Sequence, residues 1–197
     1  GHSRPVPVEA VPAHNVIMSS VANFFGRTHL KDRGSTWGTT HREQLAGWGT
    51  VAPHLMWRPN TGSPAGWQQG LPDLHTHQTI EDLKFVAANH CIGIYIDSVW
   101  EHWATHGPQY YAMSQLTWDP DQDGQAVLDD YYRRGFGPAA DEVKAYYSLL
   151  ERARESFVDT YGYSAGVANF LHLYTDELLA EADEHLRRAA ANLESGL

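Results

Sequence analysis

A chain of 197 residues, 42% hydrophobic and 19% charged, carries enough apolar material for a folded globule and too little charge for disorder. Twenty-four acidic residues against 14 basic ones, a formal net charge of -10, argue against nucleic acid and against an anionic membrane surface, both of which need a basic face. No stretch approaches the ~18 apolar residues of a membrane span, and no basic and apolar leader opens the chain.

Gly1-His2-Ser3 reads as a cut end, so the missing leader leaves localisation open. A secreted, periplasmic or cell-surface placement is favoured over a cytoplasmic one. The single cysteine, Cys91, excludes an internal disulfide framework and is expected as buried filler.

Residues 1–14 hold three prolines and read as an extended lead-in. From Asn15 to Ala22 a short run rich in Val and Ile predicts a buried strand. A polar loop over 23–39 follows, carrying Arg27, His29, Asp32 and Trp37. Thr40-His41-Arg42-Glu43 has the spacing of a capping box, in which the Thr hydroxyl and the Glu carboxylate satisfy orphan backbone donors. That helix is expected to run to the stop at Pro53. His54–Trp57 predicts a second strand, closed by Arg58-Pro59-Asn60, and a Gly/Pro-rich loop covers 61–77. A helix over 79–89 then leads to a third strand at Ile92–Ile96, which delivers Asp97 at its end.

Strand, polar loop and helix thus alternate through the first hundred residues, which points to βαβ units and a parallel sheet. The unalternating apolar runs suit strands covered on both faces. Beyond residue 109 the spacing predicts helices at 110–118, 123–134 and 138–161, a short apolar piece at 169–174, and a last helix capped by Thr175. Leu178, Ala182, Leu186, Ala189 and Leu193 form one stripe of that last helix, with Asp183–Arg187 and Glu184–Arg188 as i,i+4 pairs on its wet side.

Taken in order, HREQLAGWGTVAPHLMWRPN, TIEDLKFVAANHCIGIYIDS, QYYAMSQLTWDPDQD and LDDYYRRGFGPAADEVKAYYSLLE resemble a large bacterial family of uncharacterised glycoside-hydrolase-like barrels, related at clan level to α-glucuronidases and hexosaminidases. The likeness spans residues 15–155 and is sharpest at Trp118–Asp123 and Gly137–Ala140. It implies an α/β fold: the last three β/α units of a TIM-type barrel over 15–108, followed by an α-helical C-terminal extension over 109–197. The partners implied are an oligosaccharide and the remainder of the barrel. The activity implied is hydrolysis or binding of a glycosidic or uronic-acid-containing oligosaccharide, without a cofactor.

In a barrel, side chains at the C-terminal strand ends face the site. Asp97 and Glu101 are therefore the candidate carboxylate pair for acid/base hydrolysis, the alternative being that Asp97 caps a helix near Val99. Arg58 and Asn60 suit a uronate carboxylate or sugar hydroxyls, a salt bridge being the alternative for Arg58. Trp57, Trp100 and Trp103 offer flat faces for stacking on sugar rings, Trp57 being also a core candidate. Arg27, His29 and Asp32 share the same predicted rim. Relatives tend to carry Glu where Ile96 stands and an acidic residue after the Trp of the second strand. Those departures favour an alternative, a non-catalytic carbohydrate-binding or structural module.

Asp119, Asp121, Asp123 and Asp130 imitate a calcium loop, but the closing residue is Asp rather than Glu and a turn with an N-cap explains the same letters. His75-x-His77 and His102-x-x-x-His106 have ligand-like spacing without a Cys or Glu partner, so no metal is expected. No nucleophile elbow, phosphate loop or dinucleotide fingerprint is present.

Overall fold

The computed structural model describes residues 5–20, 36–59, 71–96, 102–161 and 170–195. They fall into two compact units. Gly1–Gln69, His77–Glu101 and Met113–Asp121 make the first; Gly70–Thr76, His102–Ala112 and Gln122–Leu197 make the second.

The first unit holds a parallel sheet of three four-residue strands in the order β1 (Ile17–Ser20), β2 (His54–Trp57), β3 (Cys91–Ile94). Helix α1 (Thr36–Val51) connects β1 to β2, and α2 (Thr76–Ala88) connects β2 to β3. The register sets Ser20 beside Trp57 and Trp57 beside Ile94, so the three strand ends are level. Leu55 and Trp57 are buried, as are Leu45 of α1 and Ile80, Leu83 and Val86 of α2. The turn into β3 uses His90 in the left-handed region, φ 65°, after Asn89 and His90 close back on Val86 and Ala87. A Cβ on Gly49 would lie 2.2 Å from the Asn89 carbonyl oxygen, so only glycine lets α1 pass this turn.

This arrangement overturns the expected barrel. The described residues are mostly helical, with one small open sheet and no barrel units. A barrel strand is covered on both faces, whereas Ile17 and Ile92 are 55% and 61% exposed and β1 and β3 bury nothing fully. An apolar run of four or five residues looks the same whether one face or two will be covered, so three such runs do not specify a barrel. The remainder of a barrel, expected as a partner, falls with that fold.

Helix α3 (Trp103–Trp118) begins two turns before the expected Tyr110, running straight through Gly107-Pro108. Pro108 has no N–H to give the carbonyl of Ala104, which would normally end a helix here. In the second unit Tyr147 Oη donates to that same carbonyl oxygen at 2.9 Å and restores the lost bond. A Cβ on Gly107 would meet the Tyr131 hydroxyl at 2.2 Å, so the missing side chain is what lets Tyr131 in.

The second unit continues with α4 (Gly124–Phe136), a 3-10 turn at Gly137–Ala139, α5 (Ala140–Tyr161), α6 (Phe170–Leu173) and α7 (Asp176–Ser195). Asp123 caps α4 by accepting from the backbone N–H of Gln125 and Ala126, and Thr175 caps α7 by accepting from that of Leu178. Val127, Leu128 and Tyr132 of α4 are buried, as are Val143, Tyr147, Leu150 and Phe157 of α5 and Ala182 and Ala189 of α7. Leu186 and Leu193 of the expected α7 stripe stay nearly half exposed. Arg188 of α7 donates to Glu142 of α5 at 3.1 Å, with His185 Nδ1 2.7 Å from the same oxygen. The i,i+4 pairs Arg187–Asp183 and Arg188–Glu184 form as expected. Among the described residues no helix is long and apolar enough to cross a membrane.

Candidate functional site

In the first unit the sheet ladder runs one step past the strands. Arg58 N–H donates to the Ser20 carbonyl at 2.8 Å, and Tyr95 N–H donates to the Trp57 carbonyl at 2.9 Å. These bonds hold residues 58 and 95 side by side at the carboxyl ends of parallel strands, where open α/β sheets bind ligands. The Arg58 guanidinium carbon stands 5.4 Å from the centre of the Tyr95 ring, a cation–π geometry, and Tyr95 is more than half exposed. Trp57 is fully buried. Its ring is core and is closed to a sugar in this structure.

In the second unit the first two turns of α3 present a row of rings. Trp103 is 60% exposed and meets the Tyr110 ring edge-on, centroids 5.2 Å apart and planes at 85°. Tyr110 lies nearly parallel to His106, at 5.7 Å and 17°. Positions 103, 106 and 110 are three and seven residues apart, which puts them on one helical face. With the α3 start set at Tyr110, that face was invisible to the sequence reading.

Behind this row lies a buried polar cluster. Arg154 Nε of α5 donates to Asp73 Oδ1 at 2.7 Å, and Tyr174 Oη donates to the Pro72 carbonyl at 2.9 Å. His75, Gln109, Glu151 and Arg154 are all buried. Burial raises the Asp73 carboxyl, but the charges of Arg154, His75 and His106, with the Arg154 hydrogen bond, more than offset it and leave it below the usual carboxylate range. Burial, helped by Arg154, pushes His75 down to about 4 against the pull of Asp73. His106 is lowered by burial, Asp73 opposing and His102 adding. The sequence carries a signal for this cluster: Glu151 and Arg154 lie on the α5 stripe of Tyr147, Leu150 and Phe157, where a solvated face would not put them.

Of the expected site residues, the structure places Trp57, Arg58 and Trp103. Asp97, Glu101, Asn60, Trp100, Arg27, His29 and Asp32 lie outside the described residues. The Asp-rich segment does not fold as a calcium loop. Asp119 accepts from the Asp121 N–H, Asp123 caps α4, and Asp130 is held by Arg133, Arg134 and Tyr111. His75 is buried while His77 is exposed. Among the described residues no group of three His, Cys, Asp or Glu is arranged to hold a metal ion. Burial pushes the Cys91 thiol up to about 12, which leaves it unreactive.

A family model described as a domain of unknown function (DUF4838) matches residues 2–148. No curated protein and no solved structure matches the chain.

Proposed function

We propose, for a chain that belongs to the DUF4838 family, a carbohydrate-active protein related to glycoside hydrolases that binds an oligosaccharide. The observation that carries this reading is the Trp103 ring, 60% exposed yet fixed edge-on by Tyr110. An indole left in water forgoes its burial energy, about 1.5–3 kcal/mol for a large apolar side chain. One that is both exposed and rigid is suited to a flat, apolar ligand face such as the C–H side of a sugar ring. Its partners Tyr110 and His106 add polar edges for hydroxyl groups.

Arg58, set over Tyr95 at the strand ends, suits a carboxylate-bearing sugar such as a uronic acid, because a guanidinium pairs bidentately with a carboxylate. Hydrolysis would fall to Asp97 and Glu101, one protonating the leaving oxygen and the other ionised. Without those carboxylates in play, binding alone is the alternative.

Calorimetric titration with a panel of neutral and uronic-acid oligosaccharides tests this. Trp103→Ala is expected to weaken binding by about tenfold or more, a loss of about 1.4 kcal/mol. Asp97→Asn with Glu101→Gln is expected to abolish hydrolysis while binding persists. If no oligosaccharide of either kind binds or shifts the thermal midpoint of the wild-type chain, the reading is wrong.

A further inference from the structure

The polar cluster of the second unit carries an inference that does not depend on the carbohydrate reading. Residues 71–76 contain no regular structure until Thr76 starts α2, yet Leu74, His75 and Thr76 are buried. Side-chain contacts hold this strap. Gln109 of α3 grips His75 at two points: the His75 backbone N–H donates to Gln109 Oε1 at 3.1 Å, and Gln109 Nε2 stands 3.2 Å from His75 Nε2.

The first contact fixes the second. A backbone N–H can donate only to the amide oxygen, so the amide nitrogen must face the ring. That nitrogen is a donor, so His75 Nε2 must be the acceptor. The ring proton then sits on Nδ1, which lies 3.1 Å from the Asp73 carbonyl oxygen and donates to it. In this neutral tautomer the contacts of Nδ1 with the Asp73 carbonyl and of Nε2 with the Gln109 amide are both donor-to-acceptor pairs. A proton on Nε2 would set two donors face to face in a site closed to water.

We propose that residues 71–76 are a proton-sensitive strap, held while Gln109 reads the neutral, Nδ1-protonated form of His75 and let go when acid adds a proton at Nε2. Among the described residues, the charged and titratable groups that act on His75 include Asp73 on the strap, His106 on α3, and Glu151 and Arg154 on α5. Arg154 repels the imidazolium while Asp73 and Glu151 attract it, and burial decides the balance against charge, bringing the ring to about 4. The sign follows. A histidine whose folded value lies below its unfolded 6.5 favours the closed strap fully above 6.5, and that preference drains away as pH falls toward 4. Over that window the opened strap gains about tenfold in population per pH unit, roughly two orders of magnitude in all.

Nitrogen-15 NMR of the imidazole ring in the full chain reads the tautomer directly. The expected result is a neutral ring protonated at Nδ1 near pH 7; a ring protonated at Nε2 overturns the proposal. Native-state amide exchange of residues 71–76, corrected for the intrinsic pH dependence of exchange, reads the opening. It is expected to rise about tenfold per unit below pH 6.5. Gln109→Glu supplies an acceptor to Nε2 and is expected to flatten that rise. A wild-type opening constant that does not change with pH, or a Gln109→Glu chain that opens as the wild type does, refutes the strap. Should the variant not fold, the wild-type tautomer and exchange profile decide.

Discussion

The two units reach stability by different means. The first buries Leu45, Leu55, Trp57, Leu83 and Val86 against a short sheet, and encloses His41, Thr79 and the Asp82 carboxylate with them. In the second, helices enclose an aliphatic and tyrosine core with His75, Gln109, Glu151 and Arg154, and Arg154 is paired with the half-buried Asp73. An apolar core tolerates loss in proportion to the atoms removed. A buried charge pair is different. Truncating one partner strands the other without water, so the cost reflects the survivor rather than the contact. Arg154→Ala is therefore expected to be the most damaging single change, about 3–5 kcal/mol, because it empties a buried position and leaves the half-buried Asp73 carboxylate without its cation. Chemical denaturation measures it. Arg154→Ala costing no more than an exposed arginine would mean that the pair is solvated and the contrast between the units is false.

Within the first unit the same logic separates the two sides of the sheet. Leu55→Ala removes a side chain 1% exposed and is expected to cost about 2–4 kcal/mol through lost transfer energy and a cavity. Ile92→Ala, on a residue 61% exposed, is expected to cost under about 0.5 kcal/mol. Equal costs would show that Ile92 is covered in solution, and would reopen the question of what lies against the sheet.

Much of the first unit was legible in the sequence, because strands announce themselves by local composition. The run at His54–Trp57 marks β2 at both ends, the run at 15–22 contains β1, and the run at 92–96 starts one residue after β3 begins and ends two residues beyond it. What failed there was non-local. Three short apolar runs cannot say how many strands will pair with them or whether one face stays open, so the barrel was an overreach. Helix starts failed for a different reason. Thr40 and Glu43 have capping-box spacing, yet α1 starts at Thr36 and they lie inside it. At α3 Pro108 leaves the Ala104 carbonyl without its usual helix donor, and Tyr147, 43 residues away from Ala104, supplies one. No window on α3 contains that tyrosine. The candidate site divides in the same way. Trp103 was named from its sequence context, whereas Tyr110 and His106 joined it only once the helix was extended back. The Asp73–Arg154 pair spans 81 residues and could be guessed only from misplaced polarity on α5.

The sharpest comparison puts one substitution, Gly→Ala, into a helix of each unit. Alanine is the better helix former by about 0.8–1 kcal/mol, so propensity alone predicts a gain at both places. At Gly49 the new methyl would lie 2.2 Å from the Asn89 backbone oxygen, and backbone cannot rotate away as a side chain can. Overpacking of this kind costs about 1–3 kcal/mol, so Gly49→Ala is expected to destabilise the chain despite its propensity. At Gly135, in the last turn of α4, a Cβ meets nothing within 4 Å. Fraying near a helix end reduces the benefit, and Gly135→Ala is expected to stabilise by about 0.5 kcal/mol. Opposite signs in thermal melts of the two variants would tie the approach of α1 to the α2–β3 turn to glycine itself. A gain at both positions would mean that this turn stands farther from α1 than the 2.2 Å spacing allows.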